Sequence, residues 1–158
     1  MLLRFQPCFH MAGFLGKSTP VFDIAEFYEP GDRKDMLVRN IKFGAALASS
    51  FGDGQPDQAV VLMRGHGFTV QGSSIMEAVL RAVYTQQNAS IQTTALLTRA
   101  AYFTSGQQPT DGRATSDIKY LSEEETRGAT EMTKWSVGRP WRLWLREVEA
   151  QGMYVNTA

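Results

Sequence analysis

Cysteine and histidine are the scarce residues of this chain. Its 158 residues include one cysteine, Cys8, and two histidines, His10 and His66. A single cysteine excludes an internal disulfide framework and suits a reducing, cytoplasmic compartment. Two histidines exclude a metal centre built from a histidine cluster within the chain. Net charge is absent too, because 16 basic residues balance 16 acidic ones. A nucleic-acid surface needs basic residues in excess on one face, so no nucleic-acid partner is expected. Neutrality also leaves little repulsion between copies, which favours a homo-oligomer. No apolar run approaches the roughly 20 residues of a membrane span, and residues 1–7 are too short and broken for a signal peptide. What remains is a globular composition, 43% hydrophobic and 20% charged, at the length of one domain.

Hydrophobic patterning divides the chain into a few elements. Residues 9–15 read as a short helix or an irregular segment. Pro20-Val21-Phe22-Asp23-Ile24 alternates like a short strand, and Glu29-Pro30-Gly31-Asp32 is a turn. A helix is predicted over 35–50, capped by Asp35, with Val38, Ile41, Ala45 and Ala48 as its apolar face. The stretch 52–56 closes it. Ala59 to Met63 is continuously apolar and short, as a strand covered on both sides would be. A long helix is predicted from about Ser73 to Tyr102. Ser74 and Glu77 have capping-box spacing, and Ile75, Val79, Ala82, Val83 and Ala89 form its stripe. Residues 104–117 read as a polar loop. Ser122 and Glu125 form a second capping box, opening a helix to about Ser136. A last helix has Pro140 in its first turn and stops at Gly152, with Trp141, Trp144, Leu145 and Val148 on its apolar side. Tyr154 follows, with packing as its default role.

The segment Val60-Val61-Leu62-Met63-Arg64-Gly65-His66-Gly67-Phe68-Thr69-Val70 carries the most chemistry. It reads as strand, glycine-flanked histidine, strand. Glycines on both sides let backbone or a ligand approach closely, so His66 is a candidate metal ligand, against the alternative of a turn histidine bonded to backbone. If 8–10 is extended, Cys8 and His10 share a face. Cys8, His10 and His66 would then make three ligands with an open fourth position. The plainer reading is a half-buried histidine beside a hydrophobic cysteine.

These residues resemble the class II aldolase/adducin family. The match runs through the His66-Gly67 turn, then Gly72-Ser73-Ser74-Ile75-Met76-Glu77-Ala78 and Ala82-Val83-Tyr84-Thr85-Gln86-Gln87-Asn88-Ala89. It is joined by His10-Met11-Ala12-Gly13-Phe14-Leu15-Gly16 with Pro20-Val21-Phe22. The resemblance covers roughly 7–103. It implies an α/β fold, a three-layer α/β/α sandwich on a mostly antiparallel sheet, with 1–104 as the family domain and 105–158 as a helical C-terminal extension packed on it or on a neighbour. It also implies a divalent metal, zinc above all, held by an H-x-H pair and a third histidine that His66 matches. The implied activity is a lyase acting on a small hydroxy-carbonyl compound, by aldol cleavage, epimerisation or decarboxylation, in a tetramer.

By order along the family pattern, the H-x-H pair and the catalytic acid should precede His10. The expectation is therefore an N-terminally truncated chain, weakly active or inactive. His66 is the expected metal ligand, His10 a site-lining or catalytic residue, and Cys8 and His10 alternative ligands. A non-catalytic, adducin-like scaffold is the competing expectation.

Overall fold

A computed structural model describes residues 4–52, 59–104 and 118–155. A 3-10 segment, His10–Leu15, is followed by β1 (Val21–Phe22) and a second 3-10 segment, Ile24–Phe27. Then come α1 (Ile41–Ser49), β2 (Val60–Met63), β3 (Gly67–Val70), α2 (Ile75–Thr104), α3 (Glu123–Ser136) and α4 (Gly138–Gln151). The strands form one mixed sheet in the order β1-β2-β3. β1 runs parallel to β2, with Val21 opposite Leu62, and β2 runs antiparallel to β3, with Val60 opposite Val70. The fold is mixed α/β, and among the described residues the short parallel pairing of β1 is joined to a longer antiparallel pairing of β2 with β3.

β2 is central because its side chains serve both faces. Successive residues of a strand point to opposite sides. Val60 packs with Ala12, Phe14, Leu15 and Leu80, and Val61 with Phe22, Ile24 and Phe43. The continuous apolar run thus becomes a strand covered on both faces, as expected.

The helix predicted over 35–50 begins at Ile41. Met36 has φ 66, a left-handed conformation that no helix continues through. Asp35 instead accepts the Leu37 amide, and Asn40 caps the helix by accepting the Phe43 amide at 2.9 Å. The phase differs too. Ile41 is 91% exposed, and Val38, Ala45 and Ala48 also face outward, while Phe43 is buried with Ala46 and Leu47 packed beside it. One phenyl ring buries more apolar area than an alanine stripe, so it sets which side turns inward.

α2 departs from its predicted stripe for a different reason. Ile75 is 76% exposed, and the buried positions are Leu80, Thr85, Asn88 and Gln92. Asn88 and Gln92 form a carboxamide ladder for the extended segment before His10. The Cys8 amide donates to Asn88 Oδ1 (2.7 Å), and Asn88 Nδ2 donates to the Gln6 carbonyl (2.8 Å). The Gln6 amide donates to Gln92 Oε1 (3.2 Å), and Gln92 Nε2 donates to the Arg4 carbonyl (2.7 Å). Backbone groups taken out of water need such partners, and two amides one helical turn apart imitate the edge of a neighbouring strand.

The start of α2 is only half a capping box. Ser74 Oγ accepts the Glu77 amide, but the Glu77 carboxylate takes the amide and hydroxyl of Ser73, each at 2.6 Å. At α3 the reciprocal box between Ser122 and Glu125 is complete, as predicted. α3 packs on the first 3-10 segment across Gly13. A Cβ there would lie 2.6 Å from the Thr126 carbonyl and 2.7 Å from Ala129 Cβ. α4 has Pro140 in its first turn and ends at Gly152 in the left-handed region, φ 62. Trp141 and Trp144 are half-buried, Leu145 and Val148 exposed, and no α4 residue is fully buried. Tyr154 is exposed. Of the predicted loops over 52–56 and 104–117, residues 53–56 and 105–117 lie outside the described residues, and Thr104 ends α2. Among the described residues, no helix is long and apolar enough to cross a membrane.

Candidate functional site

The β2–β3 hairpin presents His66 at its tip. Arg64, Gly65 and His66 form the loop between the paired residues Met63 and Gly67. The His66 amide donates to the Met63 carbonyl at 3.0 Å, closing a four-residue turn. Gly65 is the third residue of that turn with φ 78, the left-handed value a type II turn needs there. Gly65 also makes room. A Cβ on it would sit 2.9 Å from Met36 Cε.

Two contacts tie the tip to the body. Arg64 Nε pairs with Asp23 Oδ2 at 2.7 Å, just past the end of β1. The other Asp23 oxygen accepts the Ala25 amide at 2.9 Å. The Arg64 hydrogen bond, helped by that amide, holds the Asp23 carboxyl below its ordinary range. On the opposite side His66 Nε2 meets the Met36 carbonyl at 2.7 Å, and the Met36 amide donates to the Tyr28 hydroxyl at 2.9 Å. His66 itself is exposed. Sequence reasoning missed Asp23, Tyr28, Met36 and Arg64. Of these only Arg64 carried a local signal, its place in the histidine turn.

Cys8 and His10 lie elsewhere. His10 opens the first 3-10 segment, directly after an extended Phe9. Its ring is exposed, edge-on to Phe9 at 6.0 Å. Cys8 is half-buried, anchored through its amide to Asn88, and burial pushes its thiol above the usual range. That disfavours the thiolate a metal takes. Among the described residues no three His, Cys, Asp or Glu groups gather where they could hold a metal ion. A zinc centre takes three or four protein ligands. The donor set of the described residues therefore does not by itself fit one.

A separate cleft of about 510 Å³ opens between the first 3-10 segment and α3. Phe14 floors it, and Lys17, Glu123, Arg127, Glu131 and Lys134 ring it. Its acids are paired, Glu123 with Lys17 at 2.5 Å and Glu131 with Lys134 at 2.6 Å. His66 does not line it.

The family model of the class II aldolase and adducin N-terminal domain matches residues 5–93. The match takes in the carboxamide-held segment, all three strands and most of α2. The chain is also similar to the decarboxylase tropJ of Talaromyces stipitatus, 48% identical over 160 residues, covering 99% of this chain and 58% of that protein. The chain thus spans little more than half the length of this relative. With the His66 hairpin and most of the helix after it inside the matched region, the chain belongs to the class II aldolase and adducin family.

Proposed function

We propose that the chain is part of a class II aldolase-type lyase that decarboxylates a small hydroxy-carbonyl compound. The observation that carries this reading is the 48% identity to a protein named a decarboxylase over 99% of the chain. The non-catalytic, adducin-like alternative draws no support from that relative. Loss of carbon dioxide leaves an electron pair that must spread into an adjacent carbonyl, and a group stabilising charge at that oxygen lowers the barrier. We assign His66 as this chain's candidate ligand for a divalent metal, with zinc the favoured ion.

Cys8 is kept on this reading as an alternative ligand, one whose thiol a bound metal would have to deprotonate against the effect of burial. His10 is assigned a place lining a neighbouring subunit's site in a tetramer. A completed α/β/α sandwich, a helical extension over 105–158 and a cytoplasmic location belong to the same proposal. The test is release of carbon dioxide from a panel of small hydroxy-carbonyl acids, by the full chain with zinc added. Turnover that disappears in His66→Ala supports the reading. Turnover equal in both proteins, or absent in both across the panel, counts against it.

A further inference from the structure

The tip of the hairpin is held by a strained residue. Among the described residues Met36 is the one non-glycine with positive φ. Unlike asparagine or aspartate, methionine has no side-chain hydrogen bond to offset that conformation, so the surroundings must impose it. They do so from both sides. Its N–H donates to the Tyr28 hydroxyl (2.9 Å), and its carbonyl meets His66 Nε2 (2.7 Å). Its methyl end lies where any side chain on Gly65 would begin. Tyr28 is anchored in turn by an edge contact to buried Phe43, with ring centres 5.7 Å apart at 85°. A continuous line of contacts runs from Phe43 through Tyr28 and Met36 to the imidazole.

We propose that Tyr28 is a positioning residue for His66. Its hydroxyl never touches the ring. It holds the Met36 amide so that the carbonyl of the same residue faces Nε2. A carbonyl only accepts, so Nε2 carries the proton and the lone pair of the neutral ring lies on Nδ1. Tyr28 therefore decides which nitrogen the hairpin offers to an incoming cation or proton while that hydrogen bond stands. The functional meaning of this arrangement rests on the reading of His66 given above; the arrangement itself does not.

The presence of only two histidines makes the test simple. His10 has no hydrogen-bond partner among the described residues, so it serves as an internal reference for an unheld imidazole. The full chain, labelled with 15N and free of added metal, is observed through long-range proton–nitrogen correlations of its two rings, above the range where imidazoles titrate. In the native protein the two His66 nitrogens are expected to be further apart in shift than those of His10, with Nε2 protonated. Tyr28→Phe keeps the ring on Phe43 and removes only the oxygen. It should collapse that separation to the His10 value. Adding Met36→Gly to that variant lets a residue at ease with positive φ restore the carbonyl, and the separation should recover. A Tyr28→Phe protein with unchanged His66 nitrogens overturns the proposal, as does a native His66 indistinguishable from His10. Neither result depends on turnover, so loss of the lyase reading and loss of this one are separately visible.

Discussion

Asn88→Leu tests how the segment that precedes the first 3-10 turn is held. Asn88 is fully buried and makes two short hydrogen bonds to the backbone of Gln6 and Cys8. Leucine keeps the branched outline of asparagine but is bulkier, so both bonds vanish and overpacking adds to the loss. Each lost bond costs about 0.5–1.5 kcal/mol net, and a part-buried backbone group left without a partner adds about 1–3 kcal/mol. Set against the gain from a buried leucine, the expected loss is about 2–4 kcal/mol. For a chain of this length that is a fall in melting temperature of roughly 5–15 °C. Urea unfolding followed by circular dichroism measures it, and Asn88→Leu with Gln92→Leu measures coupling. Once the segment is released, the second substitution has little left to break, so the double variant should fall short of the sum by about 1 kcal/mol. A single variant within about 0.5 kcal/mol of the native protein, or strictly additive effects, would refute the ladder as the anchor.

Gly13→Ala should loosen α3 from the first 3-10 segment, because the added methyl meets the Thr126 carbonyl and Ala129 Cβ, neither of which can swing aside. The expected cost is about 1–3 kcal/mol, read as a lower melting temperature. Glu77 should make stability depend on acid. Burial raises its carboxyl, but the Ser73 hydroxyl and amide, with Arg81, outweigh that and hold it below the ordinary glutamate value. A folded value below the unfolded one adds stability above the unfolded value and loses it as pH falls through the folded one. Glu77→Gln should therefore lower stability near neutrality by about 1–2 kcal/mol and flatten the acid side of a urea-midpoint profile. A profile parallel to that of the native protein would contradict this.

Local signals were legible and long-range ones were not. The Ser122–Glu125 box, the stop at Gly152 and the glycine-flanked hairpin each lie within a few residues, where spacing alone carries the physics. The phase of α1 depended on Phe43 meeting Phe22 and Val61, residues brought together only by the fold. The buried polar stripe of α2 was invisible for the same reason. Asn88 and Gln92 look like surface residues until residues 4–8 are laid against them, some 80 positions away in sequence. At the site, His66 was found by its glycines. Its partner was not, because Met36 lies 30 residues earlier and acts through its backbone, which any residue type possesses. Alternation paired Cys8 with His10, but a third donor beside them is a long-range matter that spacing does not carry, and among the described residues no such trio gathers.

Zinc uptake by the full chain, compared with His66→Ala by equilibrium dialysis, bears most directly on the assignment of His66. The account predicts saturable binding approaching one ion per chain in the native protein and loss of that binding in the variant, with both proteins folded alike. Equal uptake by the two proteins, or none by either, would contradict it.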